Sequence, residues 1–525
     1  MNPVERALFI SRIEALCEEM GSVLRRAAFS PNIKDRLDFS CALFDHEGKL
    51  AAQAAHIPVH LGSMAHAMAD VVAGIDWQPG SMVMLNDPYL GGTHLPDVTL
   101  IAPLFCPSGS CQSRLVGFVA NRAHHAHIGA ASAGSMPLSR TLAQEGVVIP
   151  PTRVIANGRW LPAGLELIRS IDAGRASAAT DPALFGDFAA QVSANRAGAE
   201  RAAELLSALG PSGFSSALNE VNDYAGRLAD SALAAIPQGE YHHIDWLDDD
   251  GQGQRRIPLE VRLQVEPGRI EVDFSGSASQ VEGNINCPLS VAAAAVYYVF
   301  RCLMPAQTPN CAGAFRSIML HAPPGSLLNA RPPAAVAAGN VETSTRVVDL
   351  LLGALAQAVP GRIPAASHGS MNNVAMGSRG DIGAAWDYYE TIGGGMGGSP
   401  LAAGLSAVQT HMTNTLNTPV ESLERHFPLR ISRYAVRRGS GGAGLHRGGD
   451  GLIREFLLLQ PTEVTLLTER RTLQPWGLAG GEPGAAGRNL LNGQPLPAKC
   501  QFVAQAGDRL TVMTPGGGGW GLAEV

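Results

Sequence analysis

The first apolar positions of the chain recur at helical spacing. Asn2 is suited to cap a helix, and Pro3 fits the first helical position, where its missing N–H is not needed. The apolar residues that follow lie roughly three to five positions apart, as one buried helix face requires: Val4, Leu8, Ile13, Leu16, Met20 and Leu24. Acidic residues run through this segment and no small-residue cleavage site follows it. We therefore interpret it as an amphipathic helix, not a targeting signal.

Strand-like patterns dominate the next stretch. Asp38–Phe44 alternates enough for a strand and is followed by a turn at 45–48, whereas Leu61–Ala73 has helical spacing. Three further short strands are predicted at Ser81–Leu85, Val98–Phe105 and Arg114–Ala120. The loops between them, NDPYLGGTHLPD and NRAHHAHIG, carry most of the polar chemistry of the N-terminal third.

The middle of the chain begins with helix and then changes to strand. Residues 182–209 are Ala-rich with helical spacing and predict one or two helices. From about Gln238 strand patterns return, with a hairpin predicted around residues 266–268. The segment Val291–Leu303 predicts a buried helix, and from about Leu401 short strands alternate with Gly-rich turns.

These changes of pattern predict a mixed α/β protein built in several layers. We place approximate boundaries between structural units at about residues 235 and 400, which gives three units. Residues 1–235 form an N-terminal α/β unit that carries the polar loops and a helical segment. Residues 236–400 form a central α/β unit, and residues 401–525 form a strand-rich, Gly-rich unit.

Composition narrows the partners and the compartment. The chain of 525 residues carries a net charge of -7 and has no run of basic residues, which argues against nucleic acid or an anionic membrane. No apolar stretch reaches the length of a membrane span. The eight cysteines include no CxxC pair, and a chain of this length needs no disulfide scaffold. Reduced thiols in the cytoplasm are the simpler interpretation.

The sharpest candidate chemistry lies in His94-Leu95-Pro96-Asp97 and in the later run Asn121–His127. Two imidazoles and one carboxylate suit a divalent first-row metal and leave positions open for water or substrate. Residues three apart on a straight strand face opposite ways, but Pro96 bends the chain so that His94 and Asp97 could converge. His124 would arrive from the end of the neighbouring strand. Spacing alone leaves a second interpretation open, in which these are polar loop residues bonded to one another.

Other polar segments carry weaker signals. His56 and His60 are candidate ligands too, although a buried, hydrogen-bonded histidine is the more common role for each. The segment GSGGAGLHRGGDG could cradle phosphate, but glycines that permit strand crossings and tight turns explain it more simply. The segment HMTNTLNTPVE, with His411 and Asn414, is interpreted as a hydrogen-bonded loop lining a cavity.

Several longer blocks resemble those of the hydantoinase B family, which includes 5-oxoprolinases and the alpha subunit of acetone carboxylase. The N-terminal blocks are NIKDRLDFSCALFD, IPVHLGSM, NDPYLGGTHLPDV, NRAHHAHIG and QEGVVIPPTR. The later ones are DFSGSASQVEGNIN, YYETIGGGMGG, HMTNTLNTPVE, GSGGAGLHRGGDG and TPGGGGWG. They occur in the family's order and span nearly the whole chain.

The resemblance implies a metal site and roles for particular residues. The HxxD pair and a later histidine of the family correspond to His94, Asp97 and His124, which would hold Mn, Zn or Fe. An acidic residue of the NIKxR block lies near the metal in relatives, and Asp35 takes that place where Glu is more usual. The family commonly has AHHADIGG where this chain has AHHAHIGA, so His127 replaces an aspartate and could act as a ligand or a general base. Glu145 is a further, weaker catalytic candidate.

The resemblance also implies a partner. No GxxxxGK[ST] motif occurs in the chain, in keeping with relatives in which a separate A-type subunit binds ATP and Mg and activates the substrate. The B-type chain would then hydrolyse a hydantoin or a lactam such as 5-oxoproline, in a heterotetramer or a larger complex. An alternative is the alpha subunit of an ATP-dependent ketone carboxylase. Others are a non-catalytic scaffold for the A-type subunit and a metallohydrolase that acts alone.

Overall fold

The computed structural model describes residues 1–54, 56–106, 114–172, 182–379 and 385–523, and it shows a mixed α/β architecture with four sheets in these ranges. The helices are α1 Pro3–Ala27, α2 Pro31–Lys34, α3 Pro58–Ala73, α4 Pro162–Asp172, α5 Pro182–Leu233, α6 Leu289–Cys302, α7 Ser344–Ala358 and α8 Val420–His426. The strands are β1 Phe39–Asp45, β2 Leu50–Gln53, β3 Met82–Leu85, β4 Asp97–Phe105, β5 Leu115–His124, β6 Thr152–Ala156, β7 Arg159–Trp160, β8 Gly239–Asp249, β9 Arg255–Glu266, β10 Arg269–Asp273, β11 Ile318–His321, β12 Asn373–Ser378, β13 Trp386–Glu390, β14 Leu429–Arg437, β15 Gly451–Leu458, β16 Thr462–Leu467, β17 Arg488–Leu491, β18 Gln494–Leu496, β19 Lys499–Ala504 and β20 Arg509–Met513. No helix in the described part of the chain is both long and apolar enough to cross a bilayer.

Helix α1 begins as its sequence predicts. The Asn2 side chain accepts from the Glu5 amide, and the Glu5 carboxylate accepts from the Asn2 amide, each at 2.9 Å. This reciprocal pair satisfies two of the free N–H groups at the start of the helix. The buried stripe differs at its first turns, because Val4 and Leu8 are exposed and Phe9 takes the place expected for them.

A seven-stranded antiparallel sheet, in the order β2-β1-β5-β4-β3-β6-β7, forms the first layer. Strand β1 is buried throughout, because alternate side chains pack on opposite faces. Cys41 and Leu43 face the core that includes α1 and α5, whereas Ala42 and Phe44 face a smaller core beneath α3. The sheet is thus sandwiched between helices that pack on its two faces.

Helix α5 extends beyond the predicted 182–209 and consists of two helical segments. Gly210 adopts a left-handed conformation with φ 68°, and Pro211 follows it. Glycine enters that conformation without a Cβ clash, and proline cannot donate to the preceding turn. The break occurs there, and helix continues to Leu233.

The rest of the chain forms three smaller sheets, in the orders β11-β10-β9-β8, β13-β12-β16-β19 and β14-β15-β20-β17-β18. The predicted hairpin is present, with Glu266 paired to Arg269 across the turn. The largest core cluster runs from Phe9 to Leu467. Because side chains from all three predicted units join it, the division at 235 and 400 stays a prediction.

The Gly-rich segments pack main chain against main chain. Gly517 donates to the Gly449 carbonyl at 2.9 Å, and Gly398 donates to the Gly518 carbonyl at 2.8 Å. A Cβ on Gly395 would collide with the carbonyl oxygen of Gly449, and one on Gly517 would collide with that of Met396. These glycines therefore serve close packing of extended segments, as the simpler interpretation of the sequence has it.

Candidate metal centre

The pairing of two adjacent strands builds the candidate centre. Asp97 is the first residue of β4, His124 is the last residue of β5, and antiparallel pairing sets them opposite each other. His94 precedes them in a turn in which the Asp97 amide donates to the His94 carbonyl at 3.1 Å. The bend at Pro96 therefore brings His94 and Asp97 together, and the neighbouring strand supplies His124, as the sequence predicts.

The three side chains are buried, and the two imidazoles approach one oxygen of the Asp97 carboxylate. Oδ1 of Asp97 lies 3.1 Å from Nε2 of His94 and 3.0 Å from Nδ1 of His124. The two imidazole nitrogens are 3.3 Å apart. A nitrogen or oxygen atom from each residue lies within 4.8 Å of the others, which is close enough for one ion.

The second carboxylate oxygen of Asp97 is also surrounded. Oδ2 accepts from the Thr93 hydroxyl at 2.5 Å and from the side-chain Nδ2 of Asn340 at 3.3 Å, and it lies 3.1 Å from Nε2 of His60. His60 is thus a buried, hydrogen-bonded histidine, as expected, but its partner is the candidate ligand itself. The sequence identifies His60 as a candidate, but its spacing gives no sign that Asp97 is its partner.

Burial and mutual contacts shift the pKa values within the cluster. Burial would raise the pKa of Asp97, but the imidazoles of His60 and His94 hold it well below its usual range. Burial would lower the pKa of His94, yet Asp97 raises it above the ordinary value. The pKa of His124 is lowered by burial, which Asp97 opposes only in part. Asp97 is thus the ionised carboxylate and His124 the neutral imidazole, which are the forms that bind metal. The raised pKa of His94 favours its protonated form, so this imidazole must lose its proton to bind an ion.

Glu145 stands behind His94. Its buried carboxylate accepts from the amides of Val336 and Ala337, both at 2.9 Å, and from the Ser139 hydroxyl at 2.7 Å. The Ala337 carbonyl in turn lies 3.2 Å from Nδ1 of His94. Burial raises the pKa of Glu145 to about 7 against these hydrogen bonds. Glu145 is therefore linked to the cluster through the main chain of Ala337, and its charge also acts on His94.

The acidic residue of the NIKxR block lies elsewhere than expected. Asp35 follows α2 directly, and its Oδ2 accepts from Ser422 of α8 at 2.8 Å. Asp38 instead lines the cavity beside His94 and His124, with its carboxylate 3.4 Å from the buried Arg36 guanidinium. The structure thus brings Asp38 to the cluster and leaves Asp35 outside the cavity lining.

His127 also lies apart from the cavity. Its Nε2 is 3.7 Å from Asp172 at the end of α4, and its Nδ1 is 3.7 Å from Asp387 of β13. The residue is buried. The histidine that replaces the family's usual aspartate therefore lies between two carboxylates, and its catalytic role stays a prediction.

The cluster fits a divalent metal. Two imidazoles and a carboxylate form a donor set that such ions prefer. Nε2 of His124 is buried and has no hydrogen-bond partner in the described ranges, which is unusual for a buried polar atom. The cluster opens onto a small cavity lined also by Asp38, Asn340 and Tyr389, and the Tyr389 ring stacks on His124 with centroids 4.6 Å apart.

Comparison with known proteins agrees with this picture. A family model described as Hydantoinase B/oxoprolinase matches residues 2–523. The chain belongs to this family. 5-Oxoprolinase 1 of Arabidopsis thaliana is 36% identical over an alignment 546 positions long, gaps included, which covers 99% of this chain but 42% of the plant protein. The chain thus spans about two fifths of the length of that relative.

Two solved structures share the hydantoinase B fold of this chain. An ATP-dependent caprolactamase from Pseudomonas jessenii aligns with a TM-score of 0.89 and 26% identity, over 99% of this chain and 91% of that one. A nucleotide-free acetone carboxylase aligns with a TM-score of 0.86 over 99% of this chain and 76% of that one, but at 18% identity it shows the fold alone. The predicted family and the mixed α/β class are confirmed.

Proposed function

We propose that the chain is the catalytic, B-type subunit of an ATP-dependent cyclic-amide hydrolase, in which His94, Asp97 and His124 hold a divalent metal. The buried convergence of these three side chains on a cavity is the observation that carries the proposal. The names of the plant 5-oxoprolinase and the bacterial caprolactamase support a lactam as substrate.

A bound Mn, Zn or Fe ion would supply Lewis-acid activation of an amide oxygen and of water. The chain's own residues prepare the site. Asp97 keeps its negative charge because His60 and His94 lower its pKa, and the Asn340 amide and Thr93 hydroxyl hold the carboxylate in place. Asp38, in the cavity wall, is the carboxylate placed to accept a proton. His127 and Asp35 keep their predicted assisting roles only if a movement brings them nearer.

ATP would act through a separate A-type partner. The plant relative is more than twice as long as the part it shares with this chain, so its remaining length can carry a function that this chain lacks. The caprolactamase, described as ATP-dependent, is matched over 91% of its chain. We infer a heteromeric assembly in which the partner binds ATP and Mg and activates the ring amide.

The carboxylase alternative shares the same site, since acetone carboxylase has this fold. The hydrolase is favoured because the relative at 36% identity and the structure at 26% identity are both named as lactam-hydrolysing enzymes. If the chain served only as a scaffold for the A-type subunit, replacing the residues of the buried cluster would not reduce activity. A hydrolase acting alone would need neither partner nor ATP.

The test compares metal content in the purified chain and in a His94→Ala, Asp97→Ala double variant. A matched control, His46→Ala with Glu47→Ala, removes an exposed histidine and an exposed acid. We expect near-stoichiometric metal in wild type and control and none in the double variant, together with loss of ATP-dependent lactam hydrolysis in the presence of the partner. Equal metal in all three would remove the ligand assignment, and full activity of the double variant would favour the scaffold. Hydrolysis without ATP would favour the hydrolase that acts alone.

A further inference from the structure

The metal cavity is too small for the proposed substrate. Its volume is about 20 Å³, which is room for roughly one water molecule. A lactam ring must therefore be held mostly outside it. A ring that presents its amide to the cluster needs a second space directly beside this cavity.

Such a space lies on the other side of a thin partition. A pocket of about 440 Å³ is lined by Pro58, His411 and Thr413, and we call it the ring pocket. Residues 57 and 59 line the metal cavity while residue 58 lines the ring pocket, and Thr413 lines both. A main-chain hydrogen bond of 3.4 Å, from the Val59 amide to the Met412 carbonyl, joins the two segments that form the partition.

The walls of the ring pocket suit a hydrocarbon ring. Val299, Leu303, Leu352, Ile363 and Met396 form much of its lining. Its volume falls within the usual range for small-molecule sites, which combine apolar walls with a few polar groups. The segment HMTNTLNTPVE supplies several of those groups, as expected for a loop that lines a cavity.

Two polar residues of the lining, His411 and Thr413, belong to the segment that separates the ring pocket from the metal cavity. Nδ1 of His411 lies 3.4 Å from the hydroxyl of Tyr298, which also lines the pocket, while Nε2 faces Oδ1 of Asp349 at 3.7 Å. His411 also has a φ of 60°, which is uncommon for a residue other than glycine and clusters at functional sites. Together with Thr413, it offers the hydrogen bonds that a ring amide requires.

The charge of the lining indicates the kind of ring. Among the described lining residues there is no carboxylate, and the one arginine, Arg362, is solvent-exposed. Its Nη2 donates to the Leu303 carbonyl at 2.8 Å, which anchors the guanidinium beside the pocket. A planar guanidinium in this setting favours a carboxylate on the ligand.

We propose that the ring pocket binds the ring of a small lactam bearing a carboxylate, with the ring carbons against the apolar walls, the amide towards Thr413 and His411, and the carboxylate at Arg362. This inference rests on the proposed function for its substrate class. It assigns the substrate ring to a place distinct from the metal ligands.

Cys302 provides a test that spares the core, because it lines the ring pocket and is exposed. Cys302→Trp fills the pocket, and Cys302→Ser is the matched control that does not. Binding of 5-oxoproline and of uncharged 2-pyrrolidinone to the full chain is followed by ligand-observed NMR, and metal content is measured in parallel. We expect Cys302→Trp to weaken 5-oxoproline binding at least about tenfold with unchanged metal content, and Cys302→Ser to bind as wild type does.

Arg362→Gln tests the carboxylate contact. It should weaken 5-oxoproline binding about tenfold, the loss expected from a charge-assisted hydrogen bond, and leave 2-pyrrolidinone binding unchanged. The ring pocket is wrong if the wild-type chain shows no detectable binding of 5-oxoproline, or if Cys302→Trp binds it as tightly as wild type does. The assignment of the carboxylate to Arg362 is wrong if Arg362→Gln weakens the binding of both ligands equally. If the chain holds no metal but binds 5-oxoproline, and Cys302→Trp weakens that binding, the ring pocket is supported and the proposed function is rejected.

Discussion

The carbonyl oxygen of Ala337 lies 3.2 Å from Nδ1 of His94 and so fixes the face that this imidazole turns to Asp97. The amide of the same residue donates to Glu145. A buried carboxylate thus controls the orientation of a candidate metal ligand through one peptide unit. Contacts of this kind, one step behind a ligand, orient it and affect metal affinity.

Glu145→Ala should weaken binding of Zn²⁺ or Mn²⁺ by about 10- to 100-fold, because two buried amides lose their acceptor and the Ala337 carbonyl is no longer held. Glu145→Gln retains a carbonyl acceptor and should keep most of the affinity. Competition with a chelating dye measures both, and Glu47→Ala, at an exposed acid, is the control. Unchanged affinity in Glu145→Ala would contradict the positioning role.

Asp38 and Asp35 give opposite expectations. Asp38→Asn removes a negative charge from the cavity wall and should weaken metal binding, by about tenfold or more. Asp35→Asn should leave metal binding near that of wild type, because its carboxylate is bonded to Ser422. Isothermal titration of the two metal-free variants with Zn²⁺ compares them. A larger loss in Asp35→Asn would restore the role predicted from the sequence block.

Glu342 should make stability fall as pH rises. It is buried, it accepts from the Met371 amide at 3.0 Å and from Asn373 at 2.6 Å, and burial together with nearby Glu469 raises its pKa to about 7. Its stabilising contribution is complete below its unfolded pKa, near 4.5, and is lost as pH rises through about 7.

Glu342→Gln should remove that dependence. The variant should gain about 1–3 kcal/mol over wild type at pH 8 relative to the difference at pH 5. Urea unfolding at the two pH values measures it. A difference that is the same at both would show that the carboxyl of Glu342 does not titrate differently in the folded state.

Leu16 anchors α1 in the main core. It is buried at 2% exposure, whereas Leu8 on the same helix is 56% exposed. Leu16→Ala should lower the free energy of unfolding by about 2–5 kcal/mol through lost burial and a cavity, and Leu8→Ala should change it by about 0.5 kcal/mol or less. Urea midpoints of the two variants make the comparison, and similar losses would contradict the packing of α1.

Much of the fold was predictable because it is local. The cap at Asn2, the helix Pro3–Ala27 and the β9–β10 hairpin each follow from a few neighbouring residues. The contact between Asp97 and His124 was predictable too, since antiparallel pairing of sequential strands places the start of one beside the end of the next. The break at Gly210 carried a signal in the adjacent Gly and Pro.

The surroundings of the centre were not predictable from spacing. Asn340 contacts Asp97, and Ala337 contacts His94, although each pair is 243 positions apart in the sequence. Hydrophobic periodicity does not predict contacts of this kind. Asp35 and Asp38 lie three positions apart beside a helix of a single turn. Which of them faces the cavity depends on the conformation of the few residues between α2 and β1, including Leu37 with its φ of 58°.

The interleaved glycine main chains bear on how the protein is made. Gly517 and Gly518 bond to Gly449 and Gly398, segments that leave the ribosome much earlier. The Gly449 carbonyl and the Gly398 amide therefore lack these partners until residues 517 and 518 have been synthesised. Native assembly of this region therefore requires that the chain has been synthesised at least as far as Gly518.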